Sequence, residues 1–166
     1  MKTIATKTML VIILIGVTAA TTVFVRVPTP ATAGYINLGD IMVIFCGLFL
    51  GGRWGAIAGG IGSALGDFIG GAFIYIPVTL VIKGLEAWVA GTLGKKHWLW
   101  LALAVAVMFF GYFIAEIFLP GMGFSAALSS LPFNVVQGIT GGLGGYFLYK
   151  SVMLALPDYP NTNEKE

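Results

Sequence analysis

The stretch Gly47-Leu-Phe-Leu-Gly-Gly-Arg53-Trp-Gly-Ala-Ile-Ala-Gly-Gly-Ile-Gly-Ser63-Ala-Leu-Gly-Asp67 holds a single charge, Arg53, before it reaches Asp67. Two apolar segments meet in it at Gly51-Gly52-Arg53. A turn this short reverses the chain, so the flanking helices are antiparallel neighbours. Beyond the turn, Gly55 and Gly59 stand one helical turn apart, and Gly62, Gly66 and Gly70 repeat the spacing. Small residues four apart let helix backbones approach closely inside a membrane. A phosphate-cradling loop fits poorly, because its lysine is absent and the segment is hydrophobic throughout.

Working outward, the whole chain has the same character. Of its 166 residues 58% are hydrophobic, 10% are charged and 24 are glycine. A soluble domain carries about 25% charged residues, so a water-exposed globular fold is excluded and the chain reads as an all-α integral membrane protein. A membrane-spanning helix needs roughly 20 apolar residues, so five or six spans use up the sequence and leave no room for a soluble catalytic domain.

Turn and stop residues divide the chain into a six-helix bundle. The expected helices are residues 8–25, 39–51, 54–70, 77–94, 98–119 and 132–154, forming one domain over 1–156 with a polar cytoplasmic tail at 157–166. Pro77 and Pro132 are expected to open the fourth and sixth helices, because proline is favoured in a first helical turn. Residues 122–131 then read as a loop. The first apolar run, Met9 to Val25, ends before a small-residue Ala31-Thr32-Ala33 site that resembles a signal-peptide cleavage site. It is longer than the usual signal core, and it is expected to stay as the first helix.

Lysine and arginine in short loops collect on the cytoplasmic side. With six crossings and a cytoplasmic N-terminus, Lys2, Lys7, Arg53, Lys95, Lys96, Lys150 and Lys165 fall inside and Arg26 alone falls outside. Both termini are therefore expected in the cytoplasm. Trp98, Trp100, Tyr146 and Tyr149 fit an aromatic belt on that side.

This topology places the remaining charges in depth. Asp40, Asp67 and Glu116 lie at the outer ends of helices 2, 3 and 5. Lys83 lies about 9 Å into helix 4 at about 1.5 Å per residue. Glu86, three residues on, shares its face. Charges in a bilayer are costly, face the bundle interior and take partners. Two readings stay open: Lys83 neutralises Glu86 or Asp67 to hold the bundle together, or Asp40, Asp67, Lys83 and Glu116 line an outward-facing polar pocket. Asn134 and Gln137 on helix 6 either tie helices together or hydrogen-bond a polar heterocycle. Tyr35, Tyr75 and Tyr112 either anchor at the interface or stack on a flat ring. Asn37 or Asp40 can cap the start of helix 2.

Other chemistries find little support. The only cysteine, Cys46, and the only histidine, His97, cannot build a disulfide framework or a His/Cys metal centre within one chain. Gly62-Ser63-Ala64 lacks the nucleophile elbow of serine hydrolases, so catalysis is not expected. Nine Lys plus Arg against seven Asp plus Glu leave no nucleic-acid footprint. On helix 1, Gly16, Ala19 and Ala20 form a small-residue stripe that either packs internally or docks another membrane protein. Small exporters, channels and ligand-free structural membrane proteins remain the alternative classes.

Three blocks, Tyr35 to Asp40, Gly47 to Asp67, and Pro77-Val-Thr-Leu-Val-Ile-Lys83-Gly-Leu-Glu86, together resemble the substrate-binding S components of energy-coupling factor (ECF) vitamin transporters. The similarity runs over about residues 8 to 154. It is nearest to the riboflavin-type branch, which includes hydroxymethylpyrimidine, pyridoxine and cobalamin carriers. The resemblance implies a bundle in a bacterial or archaeal plasma membrane that captures a water-soluble vitamin or precursor from outside. It also implies a transmembrane coupling subunit and two ATPases, which alone use ATP; this chain is expected to bind no cofactor. Gly16 and Ala20 match the family's docking positions for the coupling subunit. Residues 27–39 would form a lid, and the binding role carries onto Lys83, Glu86, Tyr112, Glu116, Asn134 and Gln137. A small polar aromatic such as pyridoxine or hydroxymethylpyrimidine suits the mixed charges and amides; riboflavin and cobalamin require a wider mouth.

Overall fold

The computed structural model describes residues 4–28, 35–94, 97 and 99–156. The expected tail at 157–166, the inside charges Lys2, Lys95, Lys96 and Lys165, and Trp98 lie outside the described residues, as does the middle of the first outer loop. Within them the chain forms α1 (Ile4–Phe24), a short ribbon of β1 (Arg26–Pro28) and β2 (Tyr35–Asn37), α2 (Gly39–Leu50), α3 (Gly52–Ile69), α4 (Ile76–Val89), α5 (Trp100–Phe118) and α6 (Phe124–Ala155). A 3-10 turn over Phe73–Tyr75 leads into α4, and a π-helical turn over Ala90–Gly94 ends it. Three segments, Ile4–Phe24, Phe73–Gly94 and Trp100–Phe118, are long and apolar enough to cross a membrane.

The bundle has the polarity of a membrane protein. Large apolar side chains such as Ile12, Phe68, Phe110, Phe118, Val136 and Phe147 face outward, whereas Asp40, Asp67, Lys83, Glu86 and Glu116 are buried. At its centre stands α2, twelve residues long and buried on every face except at Ile41. A helix apolar all round is stable only when surrounded, and α2 packs against α1, α3, α4 and α6.

Glycine sets how closely these helices approach. Gly62 and Gly66 of α3 face Thr18 and Thr22 of α1, so a side chain at either would meet α1 directly. Gly60 rests against the Leu80 carbonyl and Gly84 of α4, and Gly55 and Gly59 lie against Gly47 and Val43 of α2. On α6, Gly141 abuts Asp40 and Gly145 abuts Ile44. The glycine patches of α3 and α6 are thus internal seams. Gly51, at φ 87°, makes the reversal between α2 and α3, a left-handed conformation that glycine adopts without strain.

The sixth helix departs from expectation. It begins at Phe124, so residues 124–131 are helical rather than loop, and Pro132 lies inside the helix rather than at its start. Proline removes one backbone donor, the one that would serve the Leu128 carbonyl; in the turn before it Ser129 donates to the Ser125 carbonyl at 2.9 Å and Ser130 lies 3.0 Å from that of Ala127. Helix 1 brings a second correction. Ala19 is buried against the bundle, so it does not share the exposed stripe of Gly16. Gly16 has nothing within 4 Å of the position a Cβ would take.

Candidate functional site

At the end of the bundle where the β1–β2 ribbon lies, the helix ends leave a polar cleft. It is lined by Tyr35, Asn37, Asp67, Ala72, Tyr75, Thr79, Tyr112, Glu116, Asn134 and Gln137. The cleft encloses about 410 Å³, open mouth included.

Each wall follows from a local feature of the chain. Tyr75, at the end of the 3-10 turn that leads into α4, and Thr79, Lys83 and Glu86 of α4 recur at helical spacing and so stack down one face; the upper two reach the cleft. On α6 the same logic aligns Ser130, Asn134 and Gln137, all buried. Glu116 ends α5 and meets both sides: the Tyr75 hydroxyl donates to its Oε1 at 3.1 Å, and the Ser130 hydroxyl bonds its Oε2. The Thr79 and Tyr112 hydroxyls bond each other at 2.8 Å.

The ribbon supplies the remaining wall. Tyr35 donates its hydroxyl to Asp67 Oδ1 at 2.6 Å, and the Asn37 backbone N–H donates to Gln137 Oε1 at 2.9 Å. Asn37 Oδ1 also accepts the Gly39 N–H at 2.7 Å, an Asx turn ahead of α2, whose N-cap residue Leu38 makes no side-chain cap bond. Burial first, and the bond to Asp67 second, push the Tyr35 phenol above its ordinary value, so it is neutral at physiological pH. Asp67 Oδ2 is buried without a hydrogen-bond partner among the described residues. With Gln137 Oε1 engaged, its amide nitrogen is left to donate. The cleft therefore presents carboxylate acceptors, amide donors and three phenol rings around a narrow space.

Three expected pocket residues are not on its wall. Lys83 pairs with Asp40 and, at 3.0 Å, with Glu86 Oε2, in a cluster that is at most 2% exposed. Its ammonium is engaged between α2 and its own helix, because a buried cation takes the nearest carboxylates. It pairs with Asp40 rather than with Asp67, one of the partners the sequence left open. Tyr112 links the two layers: its ring centroid lies 5.3 Å from Lys83 Nζ while it lines the cleft above. The other expected residues, Tyr35, Asn37, Asp67, Tyr75, Tyr112, Glu116, Asn134 and Gln137, come together.

Sequence reasoning missed Thr79 and Ser130. Thr79 stands one turn from both Tyr75 and Lys83, a spacing that could have identified it. Ser130 falls in the stretch 122–131 that reads as a loop in the sequence but is helical from Phe124. Among the described residues no His, Cys, Asp and Glu side chains gather into a metal-binding group.

Comparison with known proteins agrees with this architecture. Residues 2–154 match the family described as ECF-type riboflavin transporter, S component. A Pyrococcus woesei protein described as an uncharacterized protein in gap 3′ region is 37% identical over 142 residues, covering 80% of this chain and 94% of that protein. The thiamine precursor transporter HmpT of Lactococcus lactis subsp. cremoris (strain MG1363) is 36% identical over 115 residues, covering 69% of this chain and 68% of the transporter.

Proposed function

The chain belongs to the ECF-type riboflavin transporter S-component family, and on that premise we propose that its cleft captures a single-ring, hydroxylated nitrogen heterocycle, hydroxymethylpyrimidine first and pyridoxine second. As a member of that family it is a vitamin- or precursor-binding transporter subunit and a multi-pass membrane protein. The observation that carries the finer reading is the cleft itself. Asp67 and Glu116 can accept from a ring amine or hydroxymethyl group, Asn134 and Gln137 can complement ring nitrogens, and Tyr35, Tyr75 and Tyr112 offer faces for a flat ring. The small volume of the cleft favours one ring over the fused rings of riboflavin or the macrocycle of cobalamin. The thiamine precursor named for the Lactococcus relative supports the same choice.

In this reading the cleft opens outward in a bacterial or archaeal plasma membrane, and both chain termini are cytoplasmic. Uptake then needs a transmembrane coupling subunit and two ATPases, with Gly16 and Ala20 of α1 on the docking face. The test is native mass spectrometry of the detergent-purified chain, followed by thermal shift with hydroxymethylpyrimidine, pyridoxine, riboflavin and cobalamin. A co-purified pyrimidine mass and selective stabilisation by the one-ring compounds are expected. Stabilisation by riboflavin alone would overturn the substrate choice, and no stabilisation by any vitamin would overturn the cleft as a binding site.

A further inference from the structure

The ribbon spans the cleft between Asp67 of α3 and Gln137 of α6, but its root is held by a residue outside the cleft wall. Arg26, the first residue of β1, donates from Nε to the Thr22 carbonyl at 3.1 Å and from Nη2 to the Gly66 carbonyl at 2.8 Å. Its Cζ lies 4.2 Å from the centroid of the Tyr35 ring. The pairing explains how: Arg26 stands opposite Asn37 in the ribbon, so Tyr35 is its diagonal neighbour on the same face.

Both carbonyls belong to the last turns of their helices, α1 and α3, where carbonyls outnumber helical donors and the helix dipoles are negative. A guanidinium can serve two such acceptors in its plane and still offer a face to an aromatic ring. Gly70 completes the seat. A Cβ there would run into the guanidinium, although Gly70 itself, at φ −82° and ψ −3°, has a backbone open to any residue.

We propose that Arg26, seated against Gly70, is a positioning residue that holds Tyr35 and the ribbon over the cleft and thereby sets how long a ligand stays bound. The part concerning ligand residence rests on the proposed function above; the part concerning the ribbon does not. An ordinary helix cap stabilises the bundle as a whole, whereas this clamp acts on the ribbon.

The experiment is hydrogen exchange on the ligand-free full chain in detergent, comparing wild type with Arg26→Lys and Gly70→Ala. Alanine at 70 keeps the backbone and collides only with the far end of a flexible side chain, so it displaces the guanidinium without removing its charge. Exchange at the amides of residues 35–38 is expected to rise at least tenfold in both variants, with α2 and α4 changing less than twofold. In parallel, dissociation of hydroxymethylpyrimidine should accelerate at least fivefold while association stays within twofold. Unchanged exchange at 35–38, or a rise spread evenly over all helices, would overturn the clamp. If the wild type binds no pyrimidine, the substrate reading fails and the exchange arm still decides the role of Arg26.

Discussion

Replacing Lys83 by methionine tests the buried charge cluster most directly. The substitution keeps the unbranched apolar stem of the side chain and removes the cluster's cation, leaving Asp40 and Glu86, 1% and 0% exposed, facing each other without it. Their unbonded oxygens, Asp40 Oδ2 and Glu86 Oε1, have no other partner among the described residues to turn to. Removing one member of a buried ion pair costs about 3–5 kcal/mol. The alternative is for the variant to take up a proton, which on an ordinary carboxylate at pH 7 costs about 4 kcal/mol, a similar amount. For a chain of this size each kcal/mol lowers the melting temperature by about 2–4 °C, so a fall on the order of 10 °C is expected at pH 7. Proton uptake grows cheaper with acidity, to about 1.5 kcal/mol at pH 5, so the deficit relative to wild type should narrow there. Combining Lys83→Met with Asp40→Asn and Glu86→Gln removes all three charges and should recover most of the loss. The assay is thermal unfolding in detergent followed by size-exclusion fluorescence. A single variant within about 2 °C of wild type at pH 7, or a triple variant no more stable than the single one, would refute the reasoning.

Four further outcomes follow from the same geometry. Glu116→Gln keeps the size of the side chain but weakens the acceptor that faces Tyr75 and Ser130, and it should reduce hydroxymethylpyrimidine affinity at least tenfold, about 1.4 kcal/mol, by calorimetry. Thr79→Val removes the hydroxyl bonded to Tyr112; with Tyr112 less firmly placed, binding should weaken by about 1 kcal/mol while the melting temperature changes little. Gly62→Leu drives a side chain into Thr18 and the Ile15 carbonyl of α1, and should destabilise the bundle by about 1–3 kcal/mol in the same thermal assay. At pH about 10, where an ordinary tyrosine is half ionised, the raised Tyr35 phenol should stay neutral. Tyr35→Phe should then leave the tyrosinate absorbance unchanged, and a lower signal in the variant would contradict this.

Much of this protein is legible in its sequence because the bilayer restricts the choices. Long apolar runs interrupted by glycine and proline can satisfy their backbone only as helices. Glycines four apart in α3 and α6 announce close packing whatever the partner. Buried charges must find company, so Asp67, Lys83, Glu86 and Glu116 were bound to face inward. None of this requires knowing which helix neighbours which.

Tertiary structure decided the pairings. The sequence offers Lys83 a partner on its own helix, Glu86, or on α3, Asp67, and only the approach of α2 to α4 brought it Asp40. The same approach took Lys83, Asp40 and Glu86 away from the cleft wall. Pro132 reads locally as a helix start, yet a helix that already has bonded turns before it tolerates the lost donor, so α6 began eight residues earlier and brought Ser130 onto Glu116. Arg26 appeared in the sequence as one outside charge. Its role arose from the ends of α1 and α3, at Thr22 and Gly66, meeting where a guanidinium can bond both. Local patterns follow from backbone and solvation chemistry that each segment carries alone, but the partner of a polar group depends on distances that exist only once the helices have packed.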